Sequence, residues 1–178
     1  MNNNVSFQHL FESYRLNETK VKNRVALSPM DTELAHKDGS VSQDLVKYYT
    51  ARARGEVGLI ITEFTAVDND QRLSSPGIYS DRMVSGWNQL VESVHDFESR
   101  ILLQIAHHGG RALSRITGRK PVATSAISSP LYGEMPKRLS QEEIHELIDK
   151  FVAAARRAKL AGFDGVEVHG GHTYLIGQ

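Results

Sequence analysis

The strongest chemical signal in the sequence lies near its carboxyl end, where two histidines and a tyrosine follow a short apolar segment. His169, His172 and Tyr174 are separated by two glycines and a threonine, so the backbone can turn and bring the three polar side chains together. Two imidazole N–H groups can hold an oxygen on which negative charge develops, and a phenol can donate or accept a proton beside it. These residue types therefore predict a site that stabilises an enolate.

Two other interpretations of these histidines stay open. In the first, a histidine hydrogen-bonds within a tight turn and contacts no substrate. In the second, the protein is a metal-dependent hydrolase, because His107 and His108 follow another apolar segment and, together with His169 and His172, would supply several imidazoles to one ion. The sequence contains no H-E-x-x-H motif that would favour this second interpretation.

Two further segments end in residues suited to a ligand. Gln104 carries a donor and an acceptor and precedes a His-Gly-Gly-Arg run, in which glycines allow a ligand to approach closely. Ser28, Pro29 and Met30 follow a third apolar segment, and the proline leaves neighbouring backbone groups available to a cofactor. A structural glutamine, a plain turn and a methionine in the core are the alternatives at these positions.

A parallel α/β sheet would bring these groups to one edge. Apolar segments at residues 24–27, 57–61, 100–105 and 165–168 predict buried strands, and amphipathic segments at 43–54, 81–99 and 141–161 predict the helices between them. Ser140 and Glu143 fit a capping box, and Gly162 fits the left-handed residue that follows a helix.

The alternation of strands and helices favours a (β/α)8 TIM barrel over a doubly wound sheet. Neither G-x-G-x-x-G nor a P-loop occurs, whereas long segments follow the predicted strands at residues 28–42, 62–80 and 106–139 and from residue 169 onward. Such segments build the active site of a barrel. A closed barrel needs about 250 residues, so we expect residues 1–178 to be the truncated N-terminal part of one barrel domain, with its first four strand–helix units.

The composition argues against several classes of partner. The 21 basic and 21 acidic residues give a net charge of zero, which provides no field to attract nucleic acid or an anionic membrane surface. The sequence contains no cysteine and no long apolar run, so we expect a cytoplasmic protein without disulfides.

Taken in order, these segments resemble the old yellow enzyme family of FMN-dependent oxidoreductases over nearly the whole chain. The resemblance rests on Ser28-Pro29-Met30, on the segment Gly58-Leu-Ile-Ile-Thr-Glu63, on Gln104 with the His-Gly-Gly-Arg run, and on the segment from Ala161 through Gly-Val-Glu-Val-His169-Gly-Gly-His172-Thr-Tyr174 to Leu175. The sequence differs from many members by Asp31, where they carry Cys or Thr, and by Phe64, where they carry a small residue.

The resemblance implies an FMN-bearing barrel in which NADPH or NADH reduces the flavin, and the flavin passes hydride to the activated C=C bond of an α,β-unsaturated carbonyl compound. It implies that His169 and His172 hold the carbonyl oxygen and that Tyr174 protonates the α-carbon. Contacts to the cofactor would come from Ser28, Pro29, Met30, Phe64 and Gln104. The partner would be a small enone-type molecule. A non-catalytic half-barrel, or a homo-oligomer of such halves, is the alternative.

Overall fold

The computed structural model describes residues 7–68, 75–128 and 133–178. The strands, in chain order, are β1 (Tyr14–Leu16), β2 (Thr19–Val21), β3 (Ala26–Leu27), β4 (Leu59–Ile61), β5 (Thr65–Ala66), β6 (Arg100–Ala106), β7 (Val122–Ala123), β8 (Lys137–Arg138) and β9 (Gly165–Val168). The helices are α1 (Gln43–Arg54), α2 (Val84–His95), α3 (Ser114–Thr117) and α4 (Gln141–Leu160).

The main sheet is parallel and places the strands in space in the order in which they follow one another along the chain. β3 pairs with β4 and β4 pairs with β6. β5 pairs with the end of β6 along the same edge as β4, so β4 and β5 act as one interrupted strand. β9 pairs with the opposite edge of β6. A doubly wound sheet reverses its strand order, whereas a barrel does not. The structure therefore confirms the barrel arrangement and the predicted strands.

The hydrophobic core lies between one face of this sheet and the helices α1, α2 and α4. Alternate residues of β6 point into this core, namely Ile101, Leu103 and Ile105, because successive side chains of a strand face opposite sides. Trp87 of α2 is fully buried there, and its indole N–H donates to the Gly77 carbonyl at 2.9 Å, as expected of a packing residue. The other face of the sheet carries Gln104 and is available to line a site.

Helix α4 begins and ends as the sequence predicts, but its apolar face is only partly covered. Ser140 and Glu143 form the capping box, and Gly162 has a φ of 91° just beyond the helix. The amphipathic pattern at 141–161 predicts that its apolar residues Ile148 and Val152 are buried, but they are 52% and 45% exposed, whereas Ala154 and Ala158 are buried. The burial pattern is shifted because α4 contacts the sheet through small residues, which allow the helix to approach closely.

Several elements were not predicted. β1 and β2 form an antiparallel hairpin, and the Lys20 carbonyl accepts a hydrogen bond from Arg100 at the start of β6. β7 and β8 form a separate parallel pair within the long segment after β6. The predicted helix at 81–99 is a short 3-10 turn at Asp81–Met83 followed by α2. The predicted loops include residues 69–74 and 129–132, which lie outside the described residues.

Over the described residues, none of the helices combines the length and the apolar character that crossing a bilayer would require.

Candidate active site

A cavity of about 610 Å³ lies at the carboxyl ends of the parallel strands, on the face opposite the helices. The segments that follow β3, β4, β6 and β9 all contribute to its lining. Every residue that the sequence analysis singled out as catalytic or cofactor-binding lies in this lining, namely Ser28, Pro29, Met30, Phe64, Gln104, His169, His172 and Tyr174. Met30 is 63% exposed, so its side chain faces the cavity and does not fill the core.

His169 and His172 form a coupled pair at the end of β9. The Gly171 N–H donates to His169 Nδ1 at 3.2 Å, so a neutral His169 carries its proton on Nε2. That Nε2 lies 3.4 Å from His172 Nδ1 and donates to it, which leaves the His172 proton on Nε2. Burial, and then the neighbouring His172, lower the pKa of His169. The half-buried ring is therefore neutral at pH 7 and acts as a hydrogen-bond donor.

The turn that positions these histidines differs from the predicted one. The residues with left-handed backbone are His172 and Thr173, with φ values of 53° and 58°, and not the two glycines before them. This conformation is uncommon for residues with a side chain and concentrates at functional sites. Two hydrogen bonds support it: Arg111 Nη1 donates to the His172 carbonyl at 2.8 Å, and Gln178 Nε2 donates to the Thr173 carbonyl at 2.7 Å.

Tyr174 is held by aromatic and cationic neighbours from three segments. Its ring centroid lies 4.8 Å from that of His169, 4.9 Å from that of Phe64 and 5.7 Å from that of His108. The guanidinium carbon of Arg111 lies 4.4 Å from the same centroid. Phe64 is buried, and its ring centroid also lies 4.1 Å from that of His108, so Phe64 packs between the tyrosine and the interior of the protein. The phenol is thus fixed beside the histidine pair.

Gln104 is oriented by a neighbour on the next strand. Gln104 and Glu167 are register partners in β6 and β9, and Gln104 Nε2 donates to Glu167 Oε1 at 2.7 Å. The bond fixes which way the amide points, so Gln104 presents its carbonyl oxygen at a set position.

Three charged residues also line the cavity that the sequence did not single out as catalytic or cofactor-binding: Asp31, Arg111 and Glu167. Each is a polar neighbour of a predicted site residue at a strand end, and that proximity is the signal that could have found them. Burial, and then the nearby Glu33, raise the pKa of Asp31.

His107 and His108 do not join the other two histidines around a common point. Both are 3% exposed, and burial lowers the pKa of His107 to about 4 and that of His108 to about 3. His107 Nδ1 accepts the Gly109 N–H at 3.0 Å. Across the part of the chain that the structure describes, no three His, Asp or Glu side chains are arranged to hold a metal ion. The geometry thus gives no support to the metal-dependent hydrolase.

The fold and the cavity define a class of protein: a parallel sheet with the strand order of a barrel and, at its carboxyl edge, a cavity lined by two histidines and a tyrosine. The sequence model of the NADH:flavin oxidoreductase / NADH oxidase family matches residues 9–178. The chain belongs to this family, whose cofactors are FMN and NADH or NADPH.

Individual relatives agree with this assignment. The chain is 46% identical to an NADH oxidase of Thermoanaerobacter brockii, over 97% of this chain and 27% of that protein. It is 38% identical to an NADPH dehydrogenase of Clostridium acetobutylicum, over 95% of this chain and 50% of that protein. The solved structure of an old yellow enzyme homologue from Zymomonas mobilis superimposes with a TM-score of 0.84 at 33% identity, over 93% of this chain and 49% of that one. The chain thus spans half or less of these proteins.

Proposed function

We propose that the protein containing this chain uses NADPH or NADH, through FMN, to reduce the activated C=C bond of an α,β-unsaturated carbonyl compound. The observation that carries the proposal is the convergence of the histidine pair, the tyrosine and the polar strand ends on one cavity. Membership of the flavin oxidoreductase family supports the class of chemistry. Residues 1–178 would then be the N-terminal part of one FMN-binding barrel domain.

The residues present fit the flavin ring. The cavity combines the apolar surfaces of Pro29 and Met30 with an oriented amide from Gln104, and this pairing suits a flat ring with polar edge atoms. Ser28, Pro29, Met30, Phe64 and Gln104 would hold the ring. When bound, FMN supplies hydride transfer, which no amino-acid side chain can perform.

The chain's own residues handle the charge and the proton. The carbonyl oxygen of the substrate gains negative charge as hydride reaches the β-carbon, and N–H groups of His169 and His172 stabilise that charge. Because His169 Nε2 donates to His172, a substrate oxygen competes with His172 for this proton. Tyr174 then donates its proton to the α-carbon. The partner is a small molecule, and the zero net charge of residues 1–178 provides no field that would attract nucleic acid or an anionic membrane surface.

The test measures flavin content and turnover of the full product of the parent gene. We expect a yellow protein with stoichiometric FMN that oxidises NADPH or NADH only when cyclohexenone is added under anaerobic conditions. Bound FMN without enone-dependent turnover would overturn the substrate class. A protein that stays colourless after incubation with FMN would overturn the assignment of FMN to this cavity and favour the non-catalytic alternative.

A further inference from the structure

Arg111 lies in the cavity but has no part in the proposed reaction so far. It belongs to the segment after β6, yet it reaches across to the segment after β9. Its guanidinium carbon lies 4.4 Å from the ring centroid of Tyr174, and its Nη1 donates to the His172 carbonyl at 2.8 Å. One side chain therefore contacts the proton donor and the loop that carries the oxygen-binding histidine.

We infer that Arg111 is a positioning residue that makes Tyr174 a better proton donor. The inference rests on the proposed role of Tyr174. In that step the O–H bond of Tyr174 breaks and its electron pair stays on the oxygen as a phenolate. The electron pair of the substrate enolate forms the new C–H bond at the α-carbon, and water later returns a proton to the phenolate. A guanidinium that lies over the ring stabilises this anion more than it stabilises the neutral phenol.

The other groups around Tyr174 provide no positive charge that would stabilise its phenolate. Among the described residues that contact the Tyr174 ring, Phe64 carries no charge, and His108 and His169 have pKa values lowered by burial, so both are neutral near pH 7. Asp31 and Glu167, the acidic groups of the cavity lining, would disfavour a phenolate. An arginine side chain is a cation with a planar group that stacks on aromatic rings, which lysine does less well.

The hydrogen bond from Arg111 to the His172 carbonyl also favours proton donation by Tyr174, because it fixes the position of the tyrosine. His172 and Thr173 hold left-handed backbone immediately before Tyr174. Fixing the His172 carbonyl therefore also fixes where the tyrosine ring lies. Gln178 also fixes this turn through the Thr173 carbonyl, so the histidine pair should stay in place without Arg111. Removal of Arg111 should therefore matter mainly while Tyr174 carries its hydroxyl.

A double-mutant cycle tests this coupling in the full product of the parent gene. Arg111→Met should slow enone-driven reoxidation of the flavin about tenfold and move the alkaline limb of the pH profile to higher pH, and Arg111→Lys should restore part of the rate. In a Tyr174→Phe background, Arg111→Met should cost less than about twofold. Arg115→Met is the control, because Arg115 is exposed on α3 and lies outside the cavity lining. An equal loss in both backgrounds would show a merely structural role and overturn the inference.

A second readout needs neither FMN nor turnover. The absorbance of tyrosinate is followed as the pH is raised. The curve of Tyr174→Phe is subtracted from that of the wild type, and the curve of the double variant is subtracted from that of Arg111→Met, so that each difference reports Tyr174 alone. We expect tyrosinate to form about one pH unit higher without Arg111, which corresponds to a tenfold change. Identical curves would overturn the inference. An unchanged reoxidation rate in Tyr174→Phe would instead overturn the proposed role of Tyr174 as proton donor, and FMN binding without enone-dependent turnover would overturn the proposed function, so the failures are distinguishable.

Discussion

The carboxylate of Glu63 accepts two hydrogen bonds from Thr32, one from the backbone N–H at 3.0 Å and one from the hydroxyl at 2.8 Å. Tyr49 of α1 donates a third hydrogen bond to the same carboxylate at 3.3 Å. Glu63 is fully buried, and burial raises its pKa. Because Thr32 follows the segment with Pro29 and Met30, this contact fixes the loop after β3 from the end of the neighbouring strand.

Glu63→Gln should therefore loosen the cavity and destabilise the fold. A glutamine offers one acceptor oxygen where Glu63 uses two, so its amide N–H₂ faces either the Thr32 N–H or the hydroxyls of Thr32 and Tyr49, and the donors on that side lose their acceptor. Leaving a buried polar group unsatisfied costs about 1–3 kcal/mol, and we expect that loss in the free energy of unfolding measured with urea. FMN should also bind more weakly. Glu92→Gln, on the exposed face of α2, is the control. Wild-type stability in Glu63→Gln would show that the contact with Thr32 contributes little.

His172→Ala should slow alkene reduction selectively. Reduction of the flavin by NADPH needs orientation at the ring, whereas alkene reduction also needs the enolate oxygen to be held. The loss of one oxyanion donor costs roughly a hundredfold, and we expect this factor in the turnover of cyclohexenone. The rate of flavin reduction by NADPH, measured separately by stopped flow, should change far less. Equal turnover in variant and wild type would remove His172 from the mechanism.

The buried histidines should make the fold sensitive to acid. Burial lowers the pKa of His108 to about 3 in the folded protein, against an ordinary value of 6.5. Between these values the unfolded chain binds a proton that the folded protein does not, so the free energy of unfolding falls as the pH falls. The slope is about 1.4 kcal/mol per pH unit for each such group. His107 acts in the same direction.

His108→Phe removes one such group. Between pH 6 and pH 4 the slope of the unfolding free energy against pH should therefore fall by about 1.4 kcal/mol per pH unit, as measured by urea unfolding at several pH values. Phenylalanine suits the site because His108 already stacks on Phe64. His145→Gln, on the exposed surface of α4, is the control and should leave the slope nearly unchanged. The prediction is contradicted if both variants retain the wild-type slope.

Local patterns were enough to predict much of this structure. The limits of α1 and the capping box at Ser140 depend on residues close together in sequence, and both are confirmed. The parallel strands carry polar groups at their carboxyl ends, so their convergence on one cavity follows once the sheet is parallel. The roles given to those groups remain predictions.

Contacts between distant segments explain what the sequence did not predict. The left-handed backbone falls on His172 because Arg111 fixes its carbonyl from 61 positions away, whereas local reasoning favours the glycines. Glu63 is buried because Thr32 and Tyr49 satisfy it, although glutamate is ordinarily exposed. The hairpin of β1 and β2 is stabilised in the same way by Arg100.

Tyr174→Phe separates binding from chemistry most sharply. It deletes one oxygen and keeps the ring, so the contacts with Phe64, His169 and Arg111 should survive. We expect normal reduction of the bound flavin by NADPH and a normal charge-transfer band with a phenolic ligand. Reoxidation by cyclohexenone should slow roughly 10²- to 10⁴-fold, the range for a positioned general acid, with water as the replacement donor at the lower end. Stopped-flow measurement of the oxidative half-reaction decides, because an unchanged rate would mean that the proton comes from another group.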